Sequence, residues 1–191
     1  MTTAIPIQRL NAQARDEYLA HLTQLEAEDV RLRFGSVLSH ATIAAYVKGI
    51  DFDLDALFGV RDPSLELVGA AHLAFGRDLA EIGVSVLPGA RRYGVGGALI
   101  ARAAEHARNR AVSRLYMHCL AENATMIRLA RRAGMEVVLQ SGDADAHIAL
   151  PPATPMSVTS ELLADRVALY DYALKSHVET WRRVAVAMAR G

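Results

Sequence analysis

Three absences narrow what this chain does. Cysteine occurs once, as Cys119, so neither an intrachain disulfide nor a cysteine-cluster metal site is available, and a lone thiol suits a reducing cytosol. Nowhere do about 18 apolar residues run together, and Met1 to Leu10 lacks the apolar centre of a signal peptide. The expectation is a cytoplasmic chain with no membrane partner. Net charge is the third absence. The 21 basic and 21 acidic side chains cancel, so no overall field draws nucleic acid or an anionic membrane surface. No His/Glu helix pair or calcium-type loop occurs, and no metal is expected. Internal repeats and low-complexity tracts are missing too. What is plentiful is apolar residues, 52% of 191, enough for the core of one domain with an appendage.

The order of elements follows from periodicity. Ile5 to Leu10 reads as a strand and Gln13 to Leu25 as an amphipathic helix. A second helix is expected from the N-cap Ser39 to Lys48. Leu54 to Val60 and Leu65 to Phe75 read as strands joined by the turn Arg61-Asp62-Pro63-Ser64, and Gly76-Arg77-Asp78 turns into a strand ending near Val86. Ala98 to Arg110 has helical spacing. Then come a strand (Val112 to His118), a helix (Asn123 to Ala133) and two strands (Met135 to Gln140, Asp145 to Leu150). Such mixed order implies an α/β or α+β domain over residues 1–150, with helices on the faces of a sheet. Residues 151–156, rich in proline, read as a linker. Residues 157–191 follow as an amphipathic helix, with Leu163, Val167, Tyr170, Leu174, Val178, Trp181, Ala185 and Met188 in one stripe. Two outcomes are open: the stripe folds back over its own sheet, or it pairs with a second copy as a homodimer.

The stretch Arg91-Arg92-Tyr93-Gly94-Val95-Gly96-Gly97 joins the strand Ala80 to Val86 to the helix that follows. Glycines opening a helix expose unpaired N–H groups and a partial positive charge, which together cradle a phosphate ester. An NTPase phosphate loop would need Gly-Lys-Ser/Thr here, and a dinucleotide fingerprint would need glycine or alanine where Leu99 stands. Neither fits. The spacing Arg91-x-x-Gly94-x-Gly96 instead resembles the Arg/Gln-x-x-Gly-x-Gly/Ala signature of the GNAT superfamily of N-acetyltransferases. Downstream, Leu120-Ala121-Glu122-Asn123, Met126, Leu129 and Ala130 to Gly134-Met135 resemble the segment that closes that domain, with Met135 in place of its Phe. Upstream, Glu28-Asp29-x-x-x-Arg33-Phe34, Ile50-Asp51-Phe52-Asp53 and Ala80-Glu81 are similar to bacterial Pat-type protein lysine acetyltransferase domains. The matched segments lie in order within residues 5 to 150; the helix after Pro155 has no counterpart.

The resemblance implies a GNAT fold, a central mixed and mostly antiparallel sheet flanked by helices, and acetyl-CoA as cosubstrate. It implies that Arg91, Arg92, Tyr93, Gly94, Val95, Gly96 and Gly97 hold the pyrophosphate. It further implies that backbone N–H groups of Val84, Ser85 and Val86 bond pantetheine and the thioester oxygen, and that Asn123 steers the pantetheine arm or the acceptor. Asn123 is equally an ordinary N-cap. Glu81 matches the general base. Lysine, with a pKa of about 10.4, is rarely neutral near pH 7, a deficit of roughly 4 kcal/mol, so a base is needed. If Glu81 sits partly buried among Ile82 and Val84, desolvation raises its pKa toward that task. The superfamily's tyrosine acid is missing, since Ala130 stands there; Cys119 and His118 lie near the same strand end, though a role in the core or strand is the simpler reading of both, as it is of His72. Asp51, Asp53 and Asp55 either attract a cationic amine or merely solvate a strand entry. The expected activity is acetyl transfer to a primary amine, of protein lysine or a small molecule. The alternative is a non-catalytic acetyl-CoA sensor that signals through the long helix.

Overall fold

A computed structural model describes residues 5–188. Seven strands form one sheet in the order β1-β2-β3-β4-β5-β7-β6, comprising β1 (Gln8–Leu10), β2 (Ala56–Arg61), β3 (Leu67–Phe75), β4 (Leu79–Val86), β5 (Arg114–Leu120), β6 (Glu136–Gln140) and β7 (Asp143–Ala149). Every neighbouring pair is antiparallel except β4 and β5. This is the mixed, mostly antiparallel sheet that the resemblance implied.

Alternation along the strands feeds two cores. Phe58, Leu73, Ile82 and Val84 pack against Val95, Leu99, Ile100 and Ala103 of helix α4 (Val95–Asn109) and against Ala130 of α5 (Ala124–Arg132). Leu57, Leu67 and Ala70 point the other way. They meet Tyr18 and Leu22 of α1 (Arg15–Thr23), Val30 of α2 (Ala27–Phe34) and Ile43 and Val47 of α3 (His40–Lys48). Covered on both faces, β2 is buried from Ala56 to Val60, which is why its sequence reads as an apolar run rather than an alternation.

Several boundaries differ from the sequence reading. The first strand is confined to Gln8–Leu10, and a 3-10 turn at Ala12–Ala14 precedes α1. Leu65 takes a positive φ of 67° and Ala111 one of 59°, so the turns before β3 and β5 run longer than turn chemistry alone indicated. Helix α2 was not expected, because its one turn of buried surface is Val30. Ser39 caps α3 as expected, its Oγ accepting the Thr42 N–H at 3.1 Å.

The last helix, α6 (Pro155–Met188), begins inside the expected linker. Pro155 is its first residue, where a missing N–H costs nothing. Thr154 and Ser157 each accept the other's backbone N–H, at 3.1 and 3.0 Å, a reciprocal cap. Residues 189–191 of the expected helix lie outside the described residues. The first half of α6 folds back onto α4 and β1, but not through the apolar stripe. Its docking face carries Ser157, Glu161, Asp165 and Ala168, with Glu161 accepting from Arg102 (2.9 Å), His106 (2.5 Å) and Asn109 (2.6 Å). Arg102 also donates to Asp165 at 2.6 Å, while Lys175 donates to the Arg61 carbonyl at 2.8 Å.

Candidate functional site

The one parallel pair makes the site. β4 and β5 stay in register for Leu79↔Arg114, Ala80↔Leu115 and Glu81↔Tyr116, and then part. From Ile82 onward β4 has no partner on that edge, so alternate residues offer their N–H and C=O groups to the gap. Into the gap opens a cavity of about 630 Å³, lined on one side by Ile82 to Val86 and on the other by Met117 to Cys119. Ligand cavities run from about 300 to 1,000 Å³.

The glycine loop closes the wide end. Gly94, at φ 85°, begins α4 without a side-chain cap, and the first bond of the helix is Ala98 N–H to the Gly94 carbonyl at 3.0 Å. The N–H groups of Val95, Gly96 and Gly97 are left for a ligand, and all three residues line the cavity. A Cβ on Gly96 would lie 3.0 Å from Leu129 Cδ1, so glycine lets α4 and α5 approach closely. Arg91 spans the mouth, donating to the Val86 carbonyl at 2.9 Å and to Asp29 of α2 at 2.6 Å. Arg92 is exposed with φ 68°, and Tyr93 is exposed.

Sequence reasoning missed three cavity arginines. Arg128 and Arg132, four apart on α5, line it together with Arg33, Arg91 and Arg92, while among the described residues Asp29 is the one carboxylate on its wall. A net charge of zero concealed this concentration; the i, i+4 pair on the helix whose Leu129 touches the glycines was the available signal. Arg33 lies against the sheet, and a Cβ on Gly83 would fall 1.9 Å from its Nη2. Its hydrogen bond to Tyr46 Oη is long, at 3.3 Å, and its Nε is buried without a partner.

The matched acetyltransferase (GNAT) family pattern covers residues 19–135, more than half of the chain. The chain belongs to the GNAT acetyltransferase family. The GNAT domain of S. lividans PAT superposes with a TM-score of 0.65 over 75% of this chain and 89% of that one, at 19% identity. The ribosomal-protein-alanine N-acetyltransferase of Brucella melitensis superposes at 0.57 over 74% and 96%, with 21% identity. The ribosomal-protein-S18-alanine N-acetyltransferase of Escherichia coli does so at 0.61 over 78% and 96%, with 18% identity. At these identities the likeness is one of fold. No curated protein matches the chain. Family membership implies acetyl-CoA as donor.

Within this GNAT domain the expected residues divide by face. Val84 is buried in the core against α4. Ser85 turns its hydroxyl the other way, to His21 Nε2 at 2.8 Å, while His21 Nδ1 donates to the Leu67 carbonyl at 2.7 Å. Its side chain therefore ties the sheet to α1, and only its backbone reaches the cavity edge. Burial, which the Leu67 carbonyl only partly offsets, brings the His21 pKa down to about 4. Asn123 is held at both ends: its Oδ1 accepts the Met126 N–H at 3.0 Å, capping α5, and its Nδ2 reaches the Leu32 carbonyl at 3.4 Å. It is also part of the cavity wall.

Glu81 stands at the last paired position before the strands part, on the face opposite α4, and it is exposed. The burial among Ile82 and Val84 considered from sequence is not found, because those side chains alternate to the other face. It is not part of the cavity wall. Its face carries Tyr116 and His118, which both bond Asp145 Oδ1, at 2.5 and 2.9 Å. His72 is held between Tyr46 Oη (2.7 Å) and Asp55 (3.2 Å); burial lowers its pKa despite Asp55. Asp55 is thereby committed to structure, and Asp51 accepts the Asp53 N–H in a turn. Ala130 is core. Burial, with Asp145 and Asp143 adding to it, pushes the Cys119 thiol up. Among the described residues no cluster of metal ligands occurs and no helix is long and apolar enough to cross a membrane.

Proposed function

We propose that this acetyltransferase moves the acetyl group of acetyl-CoA directly to a primary amine, with Glu81 as general base. The observation that carries the reading is the parting of β4 and β5 at Glu81. One face of the wedge leads to Arg128, Arg132 and an uncapped helix start, and the other to a carboxylate. The pyrophosphate seats on the N–H groups of residues 95–97, within reach of Arg128 and Arg132, where dipole and charge both favour an anion. Pantetheine runs along the free edge of β4, and a backbone N–H there bonds the thioester oxygen as negative charge develops, a contribution of about 3 kcal/mol. The amine enters from the Glu81 face, loses a proton to that carboxylate and attacks the carbonyl carbon; CoA leaves as thiolate. With Ala130 in the core, the leaving sulfur takes its proton from water, at little cost for a thiol of pKa about 8.5. The acceptor is a lysine side chain of a protein or a small amine, drawn by Glu81, Asp143 and Asp145.

The second reading is an acetyl-CoA sensor without turnover, favoured by the missing tyrosine and by the exposed stripe of α6. CoA release from acetyl-CoA, measured against a panel of amines and lysine peptides, separates the two. Glu81→Gln is expected to lower kcat by about 10²- to 10⁴-fold with acetyl-CoA affinity unchanged. Tight acetyl-CoA binding with no amine-dependent release in the wild type would favour the sensor.

A further inference from the structure

Helix α6 has two faces with opposite character. The docking face holds the domain through Glu161, Asp165, Ala168 and Lys175. The stripe lies on the far side, and its members recur every three or four residues from Leu163 to Met188. Its large side chains stand in water: Leu163 is 61% exposed, Tyr170 73%, Leu174 68%, Trp181 70% and Met188 79%. Beyond Lys175 no side-chain hydrogen bond joins α6 to the domain among the described residues. The remaining thirteen residues, at about 1.5 Å each, project for roughly 20 Å. A helical end of that length with an apolar flank is marginal in water by itself and needs a packed face.

We infer that this face is the interface of a homodimer, in which α6 of a second copy lies antiparallel across it. Three observations select a second copy. First, area: with Val167 and Val178, the stripe leaves roughly 800 Å² of mostly apolar surface, what one partner contributes to a standard stable interface. Second, the pattern is nearly symmetric about Ser176. Leu174 and Val178 are equidistant from it, Tyr170 and Trp181 nearly so, and a two-fold axis there sets each Tyr170 beside Trp181 of the other copy. Third, charge follows the same axis. Asp171, which also pairs with Lys175 of its own helix at 2.7 Å, and Arg182 flank the stripe on one side at almost equal distances from Ser176, so an antiparallel pair brings Arg182 of the other copy to each Asp171–Lys175 pair as a second cationic partner. The four acidic and four basic residues of α6 cancel, which gives a lipid surface nothing to attract.

The test is sedimentation equilibrium of the full chain at about 50 μM, where a dimer of micromolar Kd is mostly associated. Twice the chain mass is expected. Leu174→Glu, at a position already exposed in the single chain, should leave circular dichroism and acetyl-CoA binding unchanged while raising the dimer Kd by about 1,000-fold or more. Asp171→Arg and Arg182→Asp should each weaken the dimer, and together restore it. A monomer at that concentration would overturn the inference, as would a dimer indifferent to Leu174→Glu. Binding to phosphatidylcholine/phosphatidylglycerol vesicles abolished by Leu174→Glu, with the chain monomeric, would assign the face to a membrane instead. None of these outcomes depends on the acceptor or on Glu81.

Discussion

Replacing Glu161 with alanine removes the acceptor shared by Arg102, His106 and Asn109, and with it the centre of the contact between α6 and α4. The Arg102 side chain is only 5% exposed, and its Nε already lacks a partner. Breaking a buried pair usually costs 3–5 kcal/mol, most of it from the charge left behind. Arg102 keeps Asp165, so the expected loss is at the low end, about 3 kcal/mol. Glu161→Gln retains an acceptor but not the charge and should lose about 2 kcal/mol. The pH dependence gives a second reading of the same contact. Desolvation opposes ionisation of Glu161, but hydrogen bonds from His106, Asn109 and Arg102 outweigh it and bring the pKa down to about 2. A folded pKa below the unfolded one contributes stability that is complete above the unfolded value, about 4.3, and lost as pH falls toward 2. With solvent screening of a partly exposed group, that contribution is about 2 kcal/mol. Urea unfolding followed by far-ultraviolet circular dichroism, at one protein concentration, measures both effects. A loss under about 1 kcal/mol for Glu161→Ala at neutral pH, or parallel acid profiles for wild type and variant, would refute the reasoning.

Gly69→Ala places a Cβ 2.6 Å from Val95 Cγ1 at the start of α4. It should cost about 1–3 kcal/mol and weaken acetyl-CoA binding by calorimetry; unchanged affinity would show that this packing does not position the glycine loop. His21 is buried as the neutral ring, with a pKa brought down to about 4, below its unfolded value of about 6.5. Its contribution is therefore present above about pH 6.5 and is lost as pH falls from there toward 4, by up to about 3 kcal/mol. Urea titrations across that window should show a slope that His21→Gln removes. A slope unchanged in the variant would mean that other groups cause it. Cys119 is buried with its thiol pushed up, a poor nucleophile, so Cys119→Ala should keep kcat within about threefold of wild type. A hundredfold loss would instead point to an acyl-cysteine route.

Local chemistry made most of the fold legible. The glycine loop, the cap at Ser39, the turn at Pro63 and the period of α6 are each decided by residues close in sequence, and they stand where expected. Glu81 and residues 91–97 were singled out as candidates the same way, through a motif and its order along the chain. Helix α2 escaped because eight residues with one buried position carry too little pattern. Arg33, Arg128 and Arg132 escaped because their meeting with Arg91 depends on α2 and α5 flanking one wedge of the sheet. Ser85 lines the cavity, but that its hydroxyl is held by His21, 64 positions away, is visible only in the fold.

What the sequence determined by itself was periodic or local: which stretches are helix or strand, where they stop, and which loop can meet a phosphate. Tertiary structure decided which side of each element counts. Glu81 and Val84 are three residues apart, yet the pleat sends one to solvent and the other to the core. In α6 the polar face is the one that docks, because α4 offers it Arg102, His106 and Asn109, and the apolar stripe is thereby turned outward. A sequence states the period of a face, but only the neighbours that fold against it decide what that face meets.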